Sequence, residues 1–135
     1  MLFRSKTQLR ISVEAEAILG VLALCESGEI ELIGSEVLMF EATRNAHPVR
    51  RRYAFAVLSR AKQFVSLESG VVERARSFQS LGIKPVDALH LASAVEAKAD
   101  FFCTCDDKFL NRAKAVETLQ TKVVSPLELI TEVTT

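Results

Sequence analysis

Apolar positions recur every three or four residues over most of this chain, and short extended blocks interrupt that rhythm at intervals. Ile11, Ala15, Ile18, Leu22 and Cys25 make a helical stripe from Gln8 to about Glu26, closed by Ser27-Gly28. Ile30-Glu31-Leu32-Ile33 predicts a short strand delivered into Ser35, an N-cap for a second helix through about Arg44. His47-Pro48 ends that helix, and Pro48 suits the first turn of a third, running to about Lys62 with Tyr53, Val57 and Leu58 on one side. Phe64-Val65-Ser66-Leu67 predicts the next strand. After Ser69-Gly70 a helix carrying Val72, Ala75 and Phe78 stops near Leu81-Gly82. Lys84-Pro85 opens another, through about Lys98, with Ala88, Leu89, Leu91, Ala92, Ala94 and Val95. The run Phe101-Phe102-Cys103-Thr104-Cys105 predicts a strand, Asp106 to about Val116 a helix, Lys122-Val123-Val124 a strand, and Pro126 the start of a short helix.

Strands of four or five residues alternating with helices of ten or more predict crossover units and a mostly parallel sheet, so the fold class is α/β. A length of 135 residues fits one domain over 1–135. Hydrophobic residues at 49% and charged residues at 25% exclude a disordered chain. Seventeen Lys+Arg balance seventeen Asp+Glu, so any nucleic-acid contact must come from a local patch rather than a basic coat. No apolar stretch approaches the roughly 20 residues of a membrane helix, and MLFRSKTQLR has no uninterrupted apolar core, which predicts a cytoplasmic protein without a membrane partner. The three cysteines are expected as buried small hydrophobes, with Cys103 and Cys105 facing opposite sides of the sheet.

In parallel α/β sheets, function collects at the carboxyl ends of strands and at the helix starts beyond them. Glu41 lies two turns into the helix after the Ile30 strand. Asp87 lies in the first turn of the Pro85 helix, and Asp106 closes the Phe101 strand with Asp107 beside it. Each has an ordinary explanation. An Asp at an N-cap or in a first turn satisfies orphan backbone N–H groups and the helix dipole, and Glu41 is placed to pair with Arg44 three residues on. Together they suggest more: carboxylates crowded at one sheet end repel and need a cation to stay ionised. An oxygen-rich set suits Mg2+ or Mn2+.

The blocks Ser35 to Asn45 (SEVLMFEATRN), Asp87 to Ala94 (DALHLASA) and Phe102 to Leu110 (FCTCDDKFL) with Ala113 resemble the successive motifs of PIN-domain proteins, including VapC-like toxin ribonucleases of toxin–antitoxin pairs. The resemblance runs from about Thr7 to Glu128. It implies a Rossmann-like three-layer α/β/α fold around a parallel sheet and a magnesium- or manganese-dependent endoribonuclease acting on RNA. Antitoxin and homodimer partners are implied too. On this mapping Glu41, Asp87 and Asp106 are catalytic and metal-holding residues, Asp107 is an auxiliary, and Thr104 helps shape the site.

The family pattern opens with a central strand ending in a first acidic residue. Here no Asp precedes position 87, and Phe3 to Gln8 resembles the segment just after that strand and its Asp. The first central strand is therefore expected to be missing, through a start codon assigned too late or a truncated gene. A shared metal site short of one carboxylate predicts weakened metal binding and reduced activity. A catalytically inactive PIN-fold module that binds an antitoxin or RNA is the alternative. A receiver domain would explain Asp106-Asp107 as well, but its acidic pair belongs early in the chain.

Arg50-Arg51-Arg52 is expected to form a solvated helix face, and Arg44, one turn from Glu41, is the better candidate for a substrate phosphate. His90, three residues after Asp87, is expected to support the site or the core rather than to bind metal.

Overall fold

The structure, a computed structural model, describes residues 19–134. Residues 19–27 are helical (α1). The start of the helix predicted from Gln8, and the Met1-Leu2-Phe3 segment to which the missing-strand expectation refers, lie outside the described residues. Next come β1 (Ile33–Ser35), α2 (Glu36–Arg44), α3 (Pro48–Leu58), β2 (Gln63–Val65), α4 (Ser69–Ser80) and α5 (Pro85–Glu96). The order closes with β3 (Phe101–Cys103), α6 (Asp107–Lys114), β4 (Lys122–Val124) and α7 (Pro126–Thr134).

The helix boundaries are set by local chemistry. Ser35 caps α2 by accepting from the Leu38 N–H at 3.1 Å, and Pro48 opens α3 behind His47, whose Nδ1 accepts from the Arg50 N–H. Pro85 opens α5, where a missing N–H costs nothing.

The fold is α/β, with β1 parallel to β2 and β3 parallel to β4. Gly34 faces Phe64 across the first pair, and Phe102 faces Val123 across the second. At Gly34 a Cβ would come within 3.2 Å of the Ala61 Cβ, so glycine lets β1 approach the chain leading into β2. Among the described residues these are two separate two-stranded pairs, since β1 and β3 are not hydrogen-bonded to each other. The parallel pairing agrees with the mostly parallel arrangement expected from sequence.

A helix pair supplies the core. Val71, Ala75 and Phe78 of α4 pack with Ala88, Leu91, Ala92 and Val95 of α5, and Phe109, Ala113 and Val123 extend the cluster. The α5 positions fall at i, i+3, i+4 and i+7, the stripe of a helix with one buried side. Val65 of β2 and Phe102 of β3 both lean on this cluster, joining the strand pairs through side chains. The Phe102 ring also meets Phe109 edge-on, centroids 5.5 Å apart.

The cysteine expectation is corrected. Cys25 is half-buried, while Cys103 and Cys105 are exposed. Cys105 lies past the end of β3, so strand alternation no longer governs it.

Candidate active site

The acidic residues come from α2, α5 and the β3–α6 junction. The first turn of α5 carries Asp87, half-buried. Asp106 caps α6, its Oδ1 accepting from the N–H groups of Lys108 at 3.0 Å and Phe109 at 3.2 Å. Both bonds fall on one oxygen. The Thr104 hydroxyl accepts from the Asp106 N–H at 3.2 Å, fixing the turn that leads from β3 into the cap. Glu41 projects from α2, and His90 of α5 donates its Nε2–H to Glu41 Oε1 across 49 positions of sequence.

The electrostatics show that these groups share one neighbourhood. Burial raises the Asp87 carboxyl above its ordinary value, and the negative charge of Asp106 raises it further. His90 and Lys84 pull the other way, and Glu41 adds a smaller upward push. A carboxylate that feels two others, one 46 positions back and one 19 ahead, has been brought to them by folding. Asp107 occupies the first turn of α6, where the helix dipole accounts for an acidic residue.

Carboxylate oxygens are the donors that Mg2+ and Mn2+ prefer, and a divalent cation would relieve the repulsion at Asp87. Among the described residues, however, no three His, Cys, Asp or Glu side chains stand close enough to hold one ion in common. The fit is one of donor chemistry and charge, not of a preformed cage. Cavities of about 260 Å³ beside β2 and α4, and about 510 Å³ between α6, β4 and α7, take in none of these carboxylates.

The expected Glu41–Arg44 pairing gives way to another arrangement. Glu41 is held by His90, and the Arg44 guanidinium lies over the Phe40 ring, 4.5 Å from its centroid. Both Phe40 and Arg44 are exposed beside Glu41. Of the arginine run, Arg51 donates to the Asn45 carbonyl, while Arg50 and Arg52 face solvent. Sequence reasoning missed the His90–Glu41 contact. The spacing from Asp87 to His90 put both on one side of α5, but only the packing of α2 against α5 supplies the partner.

Parallel strand pairs with interposed helices define an α/β domain, with acidic residues carried on α2, α5 and the β3–α6 junction. The chain belongs to the PIN-domain family, whose model matches residues 9–115. Neither a curated protein nor a solved structure matches it. PIN domains have nuclease-type function in general, commonly bind RNA or DNA, and as nucleases generally use divalent metal ions. Among the described residues no helix is long and apolar enough to cross a membrane.

Proposed function

We propose that this chain is a metal-dependent endoribonuclease, the toxin member of a VapC-like pair, acting on RNA in the cytoplasm. In this role Glu41, Asp87 and Asp106 hold Mg2+ or Mn2+. The observation that carries the proposal is the position of Asp87, whose carboxyl feels both Asp106 and Glu41. When bound, a divalent ion supplies an activated water and neutralises charge on the scissile phosphate. The chain's own groups do the rest. Asp106 is held by two backbone N–H bonds at the head of α6, Thr104 sets its turn, and exposed Arg44 offers a guanidinium to an incoming phosphate. Asp107 serves as an auxiliary acid beside them. The exposed apolar side chains of α3, Val49, Tyr53 and Phe55, are candidates for contact with an antitoxin or a second copy of the chain.

A specific observation favours a second role, that of an inactive module binding RNA or an antitoxin: among the described residues no three potential ligands stand close enough to share an ion. Cleavage of RNA by the purified chain in Mn2+, in EDTA, and by the Asp87→Asn variant decides between them. The nuclease cuts in Mn2+, stops in EDTA, and loses most of its rate in D87N. RNA retained on a filter without cleavage in Mn2+ supports the binding module, and cleavage that persists in EDTA or in D87N overturns the metal assignment.

A further inference from the structure

His90 makes a contact with Glu41 that the metal chemistry leaves unexplained. Its imidazole is nearly enclosed, with 12% of the side chain exposed, whereas the Glu41 side chain it holds is 51% exposed. A glutamate so exposed has three side-chain torsions free to carry its carboxylate away from the site, and α2 gives that carboxylate no anchor of its own. The imidazole, in contrast, springs from a helix whose neighbouring Ala88, Leu91 and Ala92 are all 0% exposed. Asp87 projects from that same helix one turn earlier. Thus α5 carries one acidic group of the site directly and reaches a second through His90.

We propose that His90 is a positioning residue that fixes Glu41 for divalent-cation binding, so that α5 sets the relative placement of Asp87 and Glu41. This rests on the proposed function above, in which Glu41 is a metal-holding carboxylate. The Nε2–H engages Oε1, and in this proposal Oε2 is the oxygen that meets the cation. Carboxylates that bind metals are commonly oriented by such an outer hydrogen bond, and loss of the partner typically weakens affinity about 10–100-fold. An imidazole suits the task because its ring N–H donates to one carboxylate oxygen from a rigid, planar group.

The test is Mn2+ binding to the full chain, measured without RNA by titration calorimetry, with thermal melts to verify folding. His90→Gln keeps a neutral N–H donor. His90→Met has similar bulk and no donor. The expected results are affinity retained in H90Q, affinity lowered about 10–100-fold in H90M, and an E41A/H90M double variant no weaker than E41A alone. In RNA cleavage, H90M should need more Mn2+ for half-maximal rate, yet approach the wild-type rate at saturation. If folded H90M binds Mn2+ as wild type does while E41A is weakened, His90 does not position Glu41 and the metal assignment stands. If E41A and D87N themselves bind Mn2+ like wild type, the metal assignment falls and His90 with it.

Discussion

Asp87 sits half-buried on α5 within reach of the charges of Asp106 and Glu41, so its ionised form is disfavoured. Removing that charge at constant size should stabilise the metal-free protein. Asp87→Asn is expected to melt above wild type in EDTA, by no more than the few degrees that about 1 kcal/mol produces. Mn2+ should then raise the wild-type Tm and leave D87N nearly unmoved. Asp106 separates structure from chemistry in a second way, because it both caps α6 and acts electrostatically on Asp87. Asp106→Asn keeps an oxygen for the Lys108 and Phe109 N–H groups and should hold stability while losing metal. Asp106→Ala loses the cap as well, at about 0.5–2 kcal/mol, readable by urea denaturation. Places near strand ends and in the helices beyond them made Glu41, Asp87 and Asp106 candidates in the sequence, and the structure puts the charges of Glu41 and Asp106 within reach of Asp87. The partner of Glu41 was not legible: an exposed i, i+3 pair with Arg44 is worth only a few tenths of a kcal/mol, and the packing of α2 on α5 offers His90 instead.

At the scale of elements, α7 shows how much a short motif can fix. The Ser125 hydroxyl accepts from the Glu128 N–H at 3.1 Å, and Glu128 Oε1 accepts from the Ser125 N–H at 2.9 Å, a reciprocal capping box. Ser125→Ala should cost about 0.5–2 kcal/mol, seen as a lower urea midpoint with unchanged slope. The Lys114 ammonium, which donates to both Glu128 oxygens, and then the Ser125 N–H hold the Glu128 carboxyl below its ordinary 4.5. The folded state therefore binds this proton less readily than the unfolded chain. Its contribution is present above pH 4.5 and is lost as pH falls through the folded value. Wild type and Glu128→Gln should accordingly converge in stability on acidification, and salt should shrink their difference at neutral pH because the pair is exposed. Helix starts were legible in the sequence because Ser35, Pro48, Pro85 and Asp106 act locally. Strand limits were not. The strand expected at Ile30 begins instead at Ile33, because the Glu29 and Ile30 N–H groups both turn back to the Leu24 carbonyl, with Gly28 at φ +83° making the turn. The strand expected to reach Leu67 stops at Val65, where Glu36 Oε1 takes the Leu67 N–H at 2.9 Å. Both are competitions between backbone partners that periodicity cannot rank.

Across the whole molecule, the two strand pairs have no hydrogen bond to each other among the described residues, and what couples them is the side of α5 that both touch. Leu91 is the largest side chain of that helix to be fully buried, and the cluster around it takes in Val65 from one pair and Phe102 and Val123 from the other. Leu91→Ala should cost about 2–5 kcal/mol, since rigid neighbours close only part of the cavity it leaves. The more telling consequence is where protection is lost. In a continuous sheet the ladder itself would hold the strands in register, and a core deletion would loosen mainly the nearest ones. Here the Lys62 amide, bonded to the Leu32 carbonyl beside β1 and β2, and the Thr104 amide, bonded to the Val124 carbonyl beside β3 and β4, depend on the same helix. Hydrogen exchange of L91A should show both amides losing protection together and by similar factors. The α7 cap amide of Glu128, bonded locally to Ser125, should keep more of its own. Loss confined to one strand pair would mean that α5 does not join them.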